Sequence, residues 1–476
     1  MRVRISAVLL FVSILVLAAS CNSSPQAPPT QIPATASASP TTATQTSPSA
    51  SQAQVTAPRI TATSGSVKHF DWPMVRFDQH NTGASIDNTL FDYNFSNPIL
   101  LRSSVGRVVR GPVAWNGIAI VIVKAKNDPY PVNDFTIDYG GVVTAFDLDS
   151  GRESWSIDTG QALISDLIVN QGHVLFLAGK PAPLSYESTF YSVDALTGKT
   201  EWKLSINASL IGGLLSGSGF DSGSVYYPVS GPTQNRTSQS QLAIIDTNLK
   251  TVRFSDLASG SLDFKPLMDK GTAYGLEADR KPPSVAAWTA TTPTGQFLWR
   301  VNKIGSPFRY KTLSGGVLLV GEKAEVAAIN VNTGNVLWTK TKVGVGILDT
   351  SSLLAVAGDR AFVAYDRELS AIDMKDGSNL WSLTTLTTRS RSVSDPIVAG
   401  RYVIVLVNSS IVSVVDSATG QVLANYSMKD ASGTYFSAVG EIAVADDKLL
   451  IPTSEGLLVF KSRAANPIAQ AENPFK

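Results

Sequence analysis

A chain with one thiol and three imidazoles has little raw material for catalysis or metal binding. Cys21 is the single cysteine, and the histidines are His69, His80 and His173. Zinc and iron–sulfur sites built from several thiolates are therefore excluded, as is any internal disulfide. His69 and His80 lie close enough in sequence to share a metal, but no third or fourth ligand is spaced to join them. Roles in solvent or at strand ends account for both. The densest run of carboxylates is Asp147-Leu-Asp149-Ser-Gly151-Arg-Glu153, which spaces oxygen donors like a fragment of a calcium loop. The same residues also fit a tight turn, in which Asp147 accepts backbone N–H groups and Gly151 takes a positive φ. Serine is abundant, yet no Gly-x-Ser-x-Gly elbow occurs, and His173 sits beside an expected strand turn, so a Ser-His-Asp triad has no framework. Walker and Rossmann glycine patterns are absent as well. No catalytic residue and no metal ligand is assigned.

The turn around Asp147 is informative for another reason: it recurs. Asp147, Gly151 and Trp155 are followed at the same spacing by Asp194, Gly198 and Trp202, by Asn330, Gly334 and Trp338, and by Asp373, Gly377 and Trp381. Weaker copies run from Asp246 to Phe254, from Trp288 through Gly295 to Trp299, and from Asp416 through Gly420 to Tyr426. A half-copy, Gly456 to Phe460, stops before its glycine. The Trp-to-Trp steps are 47 (155 to 202), 39 (299 to 338) and 43 (338 to 381), and the gap of 97 between 202 and 299 holds two periods divided by Phe254, the length of one supersecondary repeat each. In each, the Asp or Asn closes an Asx-type turn, the glycine supplies φ > 0, and the Trp brings a large ring whose N–H needs a partner. A second apolar hairpin precedes each copy, as around residues 117–123 and 402–407, and no helical periodicity intervenes. Four short strands per period make a propeller blade. The expected fold is all-β, an eight-bladed β-propeller of four-stranded antiparallel blades. Seven blades is the alternative if the degenerate copy near Asp246 is misread. Because the last copy lacks a fourth strand, residues 98–102 are expected to supply it, closing the ring and leaving no sheet edge open at the junction.

Composition sets further limits. Lys and Arg number 39 against 38 Asp and Glu, a net charge of +1, which leaves no basic surplus to displace counterions from nucleic acid. Hydrophobic residues at 43% are too evenly spread for a polytopic membrane protein. Arg2 and Arg4 precede an apolar stretch over residues 5–17, then Ala18-Ala19-Ser20-Cys21, the layout of a secretory signal. The junction resembles a bacterial lipobox, with Ala18 where that motif prefers Leu. The resemblance implies that Cys21 is lipidated and becomes the mature amino terminus; the alternative is an ordinary signal peptide with an incidental cysteine. Residues 22–66 are dominated by Ser, Thr, Ala, Pro and Gln, carry Arg59 as their one charge, and include no aromatic. Such a segment is expected to be a disordered tether with an r.m.s. reach of roughly 35–40 Å. The expected organisation is a signal peptide over 1–20, lipidated Cys21 and tether over 21–66, the propeller over 67–462 and a polar tail over 463–476.

The pattern Ala-x-Asp-x-x-Thr-Gly-x-x-x-Trp resembles the repeat of the PQQ-like (pyrroloquinoline quinone) β-propeller family. Ahead of the first blade, Asp71-Trp72-Pro-Met-Val-Arg76-Phe-Asp78-Gln-His80-Asn-Thr82-Gly83 looks like the opening motif of such proteins. The resemblance runs from about residue 70 to 461 and implies a fold without fixing an activity. One branch, the quinoprotein alcohol and sugar dehydrogenases, binds pyrroloquinoline quinone and calcium on the propeller axis. Its alcohol-oxidising members often stack the cofactor on a disulfide of adjacent cysteines, which a single cysteine cannot form, and no position here matches that branch's Asp base or calcium ligands. The other branch is non-catalytic and includes BamB-type lipoproteins of outer-membrane β-barrel assembly. Signal, lipidated Cys and eight-bladed ring are similar to that layout, whereas the long tether departs from it.

One asymmetry bears on function. Connections between second and third strands are long in the first four blades (124–141, 179–189, 228–240 and 276–284) and short later (321–325, 366–368 and 408–410). In a propeller these connections emerge on one face. The long ones carry Tyr130, Tyr186, Arg236 and Arg280, residue types enriched at interface hot spots. Neutral variation of surface loops would leave the same pattern. The expected protein is a monomeric lipoprotein of the bacterial cell envelope, anchored to an undetermined membrane on its extracytoplasmic side. It is expected to bind an envelope protein without catalysis, cofactor or nucleic acid. A dehydrogenase using pyrroloquinoline quinone and calcium, or an envelope carbohydrate binder, are the alternatives.

Overall fold

The structure, a computed structural model, describes residues 70–463 except 75, 87, 89–90, 127–139, 180–186, 208, 211–218, 231–239, 258–261, 278–283, 290–293, 303–309, 323–324, 342–352, 366–367, 385–392 and 430–431. These residues lie in the unit Ser66–Lys476. Their regular structure is all strand, arranged in eight sheets. In order, blades 1 to 7 occupy residues 106–158, 162–207, 209–257, 262–302, 310–341, 353–383 and 397–427. Blade 8 has three strands from residues 443–461, and its fourth is Ile99–Leu101, antiparallel to Gly456–Lys461 with Ile99 opposite Val459 and Leu101 opposite Leu457. The amino-terminal strand thus closes the ring as expected. The degenerate copy near Asp246 is a full blade, with Ser224–Ser230, Ser240–Asp246 and Thr251–Leu257 paired in register, so the ring has eight blades rather than seven.

Burial follows position within a blade. The second strands Tyr402–Val407 and Lys448–Thr453 are buried at every residue, because blades flank both of their faces. Such strands read in sequence as continuous apolar runs. Fourth strands such as Glu153–Asp158 alternate between half-buried and exposed residues, since the blades splay outward and only one face meets a neighbour. Third and fourth strands share an irregularity: the register slips one pair beyond the Trp, as at Ala145/Phe146, Ala328/Ile329 and Ala371/Ile372. A small residue stands opposite each of these rings: Ala145 faces Trp155, Ala328 faces Trp338 and Ala371 faces Trp381.

This strand order gives the ring two chemically different faces. First-to-second and third-to-fourth turns lie on one, here the turn face. Second-to-third connections and the links between blades lie on the other, here the loop face.

Candidate functional site: a strap across the axis and the opposite loop face

The repeat residues join neighbouring blades. Trp155 donates its Nε1–H to the Ala195 carbonyl of the next blade at 2.9 Å, Trp299 to Val331 at 2.7 Å, Trp338 to Met374 at 2.9 Å and Trp381 to Ser417 at 3.0 Å. Each ring lies against the glycine of that next turn: a Cβ on Gly198, Gly334, Gly377 or Gly420 would fall 2.7 Å from the ring of the preceding blade's Trp. These glycines therefore serve twice, for their left-handed φ and for the close approach of an indole. Turn carboxylates do the expected capping: Asp147 Oδ1 accepts the Ser150 amide at 2.7 Å, Asp194 Oδ1 that of Thr197 at 2.8 Å, Asp373 Oδ1 that of Lys375 at 2.7 Å and Asp416 Oδ1 that of Thr419 at 2.9 Å.

The remaining junctions depart from the pattern, two of them as follows. Trp202 meets a turn whose left-handed residue is Lys250 rather than glycine, and its ring packs on Phe190 with centroids 5.5 Å apart. In blade 7 the register places Ala424, not Tyr426, at the Trp position, because Val414 faces Ala424 as Ala328 faces Trp338. The alignment that ended this copy at Tyr426 is corrected accordingly. The reason is topological. Blade 8 takes its fourth strand from the amino terminus and so has no third-to-fourth turn to receive an indole. Tyr426 fills the gap instead, donating to the Tyr93 carbonyl at 2.7 Å and packing edge-on against Phe95.

The opening motif becomes a strap across the axis. From Phe70 to Asn88 the chain runs along the turn face and bonds in turn to the inner strands of most blades. Trp72 and Ala114 exchange backbone hydrogen bonds in blade 1, and Pro73 accepts from Val169 in blade 2. His80 Nε2 lies 3.2 Å from Asp269 of blade 4, and the His80 carbonyl accepts from Leu313 of blade 5. Thr82 accepts from Val356 of blade 6, Ala84–Ser85 add a parallel strand to blade 7, and Asp446 of blade 8 donates to Phe70. Asp78 holds the bend, accepting from the His80 and Thr82 amides and the Thr82 hydroxyl.

Buried charge gathers beneath this strap. Arg76 is 5% exposed and bonds to Asp395 at 2.7 Å. Burial pushes the Asp395 carboxyl above its ordinary range, while Arg76 and a hydrogen bond with Glu441 oppose that rise. Arg110 donates to the carbonyls of Leu163 and Ser165 in the next blade. Sequence reasoning assigned no role to Arg76, Asp395 or Arg110, although Arg76 stands inside the quoted motif.

The other candidate residues are scattered. Asp149 points to Lys448 at 3.4 Å, and Glu153 accepts from the amide and hydroxyl of Ser104, so the calcium-like spacing does not converge. His173 pairs with Glu201 at 2.6 Å. Among the described residues no three His, Cys, Asp or Glu side chains are grouped to hold a metal, and Asp395, beneath the strap, is already matched by Arg76. These residues do not fit the calcium site that the quinoprotein branch implies. Cys21, His69, Tyr130, Tyr186, Arg236 and Arg280 lie outside the described residues.

The loop face nevertheless shows one described protrusion. In the link between blades 7 and 8, Phe436 is buried and donates to the Met428 carbonyl, which fixes a hairpin that leaves Tyr435 65% exposed. Comparison of second-to-third connections alone passed over it; the length of the link before blade 8 was the available signal.

The profile of the family described as outer membrane protein assembly factor BamB matches residues 132–280 and 283–472. The outer membrane protein assembly factor BamB of Yersinia pestis is 23% identical over 352 residues, covering 69% of this chain and 82% of its own. Among solved structures, BamB of Moraxella catarrhalis superposes with a TM-score of 0.51 at 16% identity, over 77% of this chain and 100% of that one. A quinohemoprotein alcohol dehydrogenase of Pseudomonas putida gives 0.58 at 11% identity, over 84% of this chain and 82% of that one. Likeness at such identities speaks for the fold.

Proposed function

The chain belongs to the family of the outer membrane protein assembly factor BamB, and from that premise we propose that it is a non-catalytic propeller holding a protein partner during assembly in the bacterial envelope. The observation that supports this reading is the strap: it crosses the axis on the turn face and bonds to the inner strands there, so it occupies the end of the ring opposite the loop face. The described chain also starts on the turn face, with Phe70 bonded to Asp446. Long connections bearing Tyr130, Tyr186, Arg236 and Arg280 supply the contacts, on a scaffold kept rigid by its blade-to-blade indoles. The same reading has the protein work as a monomer without pyrroloquinoline quinone or calcium, supported by the matched charges of Arg76 and Asp395 on the axis.

In-cell photocrosslinking tests it. A photoreactive residue at Tyr130, Tyr186 or Arg236 is expected to capture one and the same envelope protein, while the same residue at Lys375 on the turn face captures none. Equal capture from both faces, or none from the loop face, would remove the reading.

A further inference from the structure

The outer rim of the ring is not uniform. Of the large hydrophobic side chains most exposed among the described residues, Phe297, Leu298, Val336, Leu337 and Leu380 stand on the fourth strands of blades 4, 5 and 6. Leu298, Leu337 and Leu380 occupy the same place in their repeats, immediately before the Trp, and are 44%, 47% and 45% exposed. Blades 1 and 2 carry Ser154 and Glu201 there. The strands Phe297–Asn302, Val336–Thr341 and Asn379–Leu383 are each last in their sheets, so their outer backbone groups have no neighbouring strand among the described residues.

Proteins commonly guard such edges with outward-pointing charges. In blade 5 the available lysine is drawn aside: Lys340 Nζ donates to the Gly377 carbonyl at 2.9 Å and to Asn379 Oδ1 at 2.8 Å, both on blade 6. In blade 4 the Arg300 guanidinium lies 4.6 Å from the centre of the Phe297 ring. Blade 3 shows what such an edge accepts. Thr294–Gly295, from the turn of blade 4, lie along its outermost strand as a parallel addition, with Thr294 opposite Asp256 and Gly295 opposite Leu257.

We propose that the outer edges of blades 4 to 6, blade 5 foremost, bind an extended segment of a protein partner whose alternate residues are apolar, by adding it as a further strand. The segment lies along the outermost strand of one blade, as Thr294–Gly295 do on blade 3, and its apolar side chains cover the exposed leucine of that strand. This surface lies on the rim, apart from the loop face, so failure of the loop-face crosslinks would leave it untouched.

The probe is a fluorescently labelled peptide of alternating valine and threonine with terminal lysines, as long as a typical strand. It is titrated into the full chain by anisotropy, and amide hydrogen exchange of the complex is mapped. The expected result is saturable binding with new protection confined to residues 297–302, 336–341 or 379–383. The combined variant Leu298→Lys, Leu337→Lys, Leu380→Lys should weaken binding by about tenfold or more, with an unchanged melting temperature. Exchange mapping on the unsubstituted chain remains decisive should that variant be unstable. Absence of binding, protection elsewhere, or equal binding by a peptide of the same composition with its valines in blocks would overturn the proposal.

Discussion

A glycine beneath an indole carries two constraints, and the structure lets them be separated. Gly377 has φ of +73° and an absent Cβ that would sit 2.7 Å from the Trp338 ring, whereas Gly117 has φ of +77° with nothing within 4 Å. Gly117→Ala is expected to cost only the left-handed conformation, about 1–2 kcal/mol. Gly377→Ala adds an overpacked interface, for a total of about 3–4 kcal/mol. Urea unfolding of the two variants checks the difference. The turn carboxylates make a second prediction. Hydrogen bonds from the Ser150 backbone and side chain hold the Asp147 carboxyl below the ordinary carboxylate range, and the Thr197 hydroxyl does the same for Asp194. Burial raises Asp416, but Arg401 and Thr419 more than offset it. A carboxyl whose folded pKa is depressed contributes stability above its unfolded value of about 3.9, and that contribution is lost as pH falls through the folded value. The melting temperature should therefore hold near neutrality and decline below about pH 4. Asp194→Asn should leave the turn intact, since Asn330 already caps the equivalent turn through Oδ1, and it should flatten part of the acid decline.

At the scale of elements, the strap has the longest reach. It ties the inner strands together by backbone bonds and anchors itself by a buried ion pair, which makes Arg76 its most sensitive side chain. Arg76→Met should destabilise the chain by about 3–5 kcal/mol, because Asp395 would remain buried without its cation. Adding Asp395→Asn to that variant should recover part of the loss. If chemical denaturation finds Arg76→Met neutral, the pair does not anchor the strap. The closing strand makes the complementary link: Leu101 lies 3.3 Å from where a Cβ of Gly151 would be, so an aliphatic side chain takes the indole's place between blades 8 and 1.

For the whole molecule, a ring of eight similar blades would be expected to behave as a quasi-linear array, each blade seeing only its neighbours. Closure through Ile99–Leu101 and the strap across the axis change that, since both join residues far apart in sequence. The strap also decides which end of the ring is covered by the amino-terminal segment. The proposed role needs no small ligand on the axis, so pyrroloquinoline quinone with calcium should leave the melting temperature unchanged in a thermal-shift assay. A bound ligand at a hundredfold excess over its Kd would add about 2.7 kcal/mol, a shift too large to miss. Such a shift would move the protein to the dehydrogenase branch.

The period, the number of blades and the place of the closing strand were legible in the sequence, because a hairpin turn is set by residues a few positions apart. Asp, Gly and Trp at fixed spacing reveal it even in degenerate copies. The spacing from Gly420 already put Ala424, not Tyr426, at the Trp position, and the strand register agrees. The tertiary structure alone decided where each indole donates, since its acceptor lies in the next blade. The route of the strap was hidden for the same reason: Asn81 bonds to the Lys311 carbonyl and Arg76 to Asp395, partners 230 and 319 residues away in sequence. Local spacing records backbone geometry. Which end of a closed ring the strap lies across depends on side chains that become neighbours only after the ring has formed.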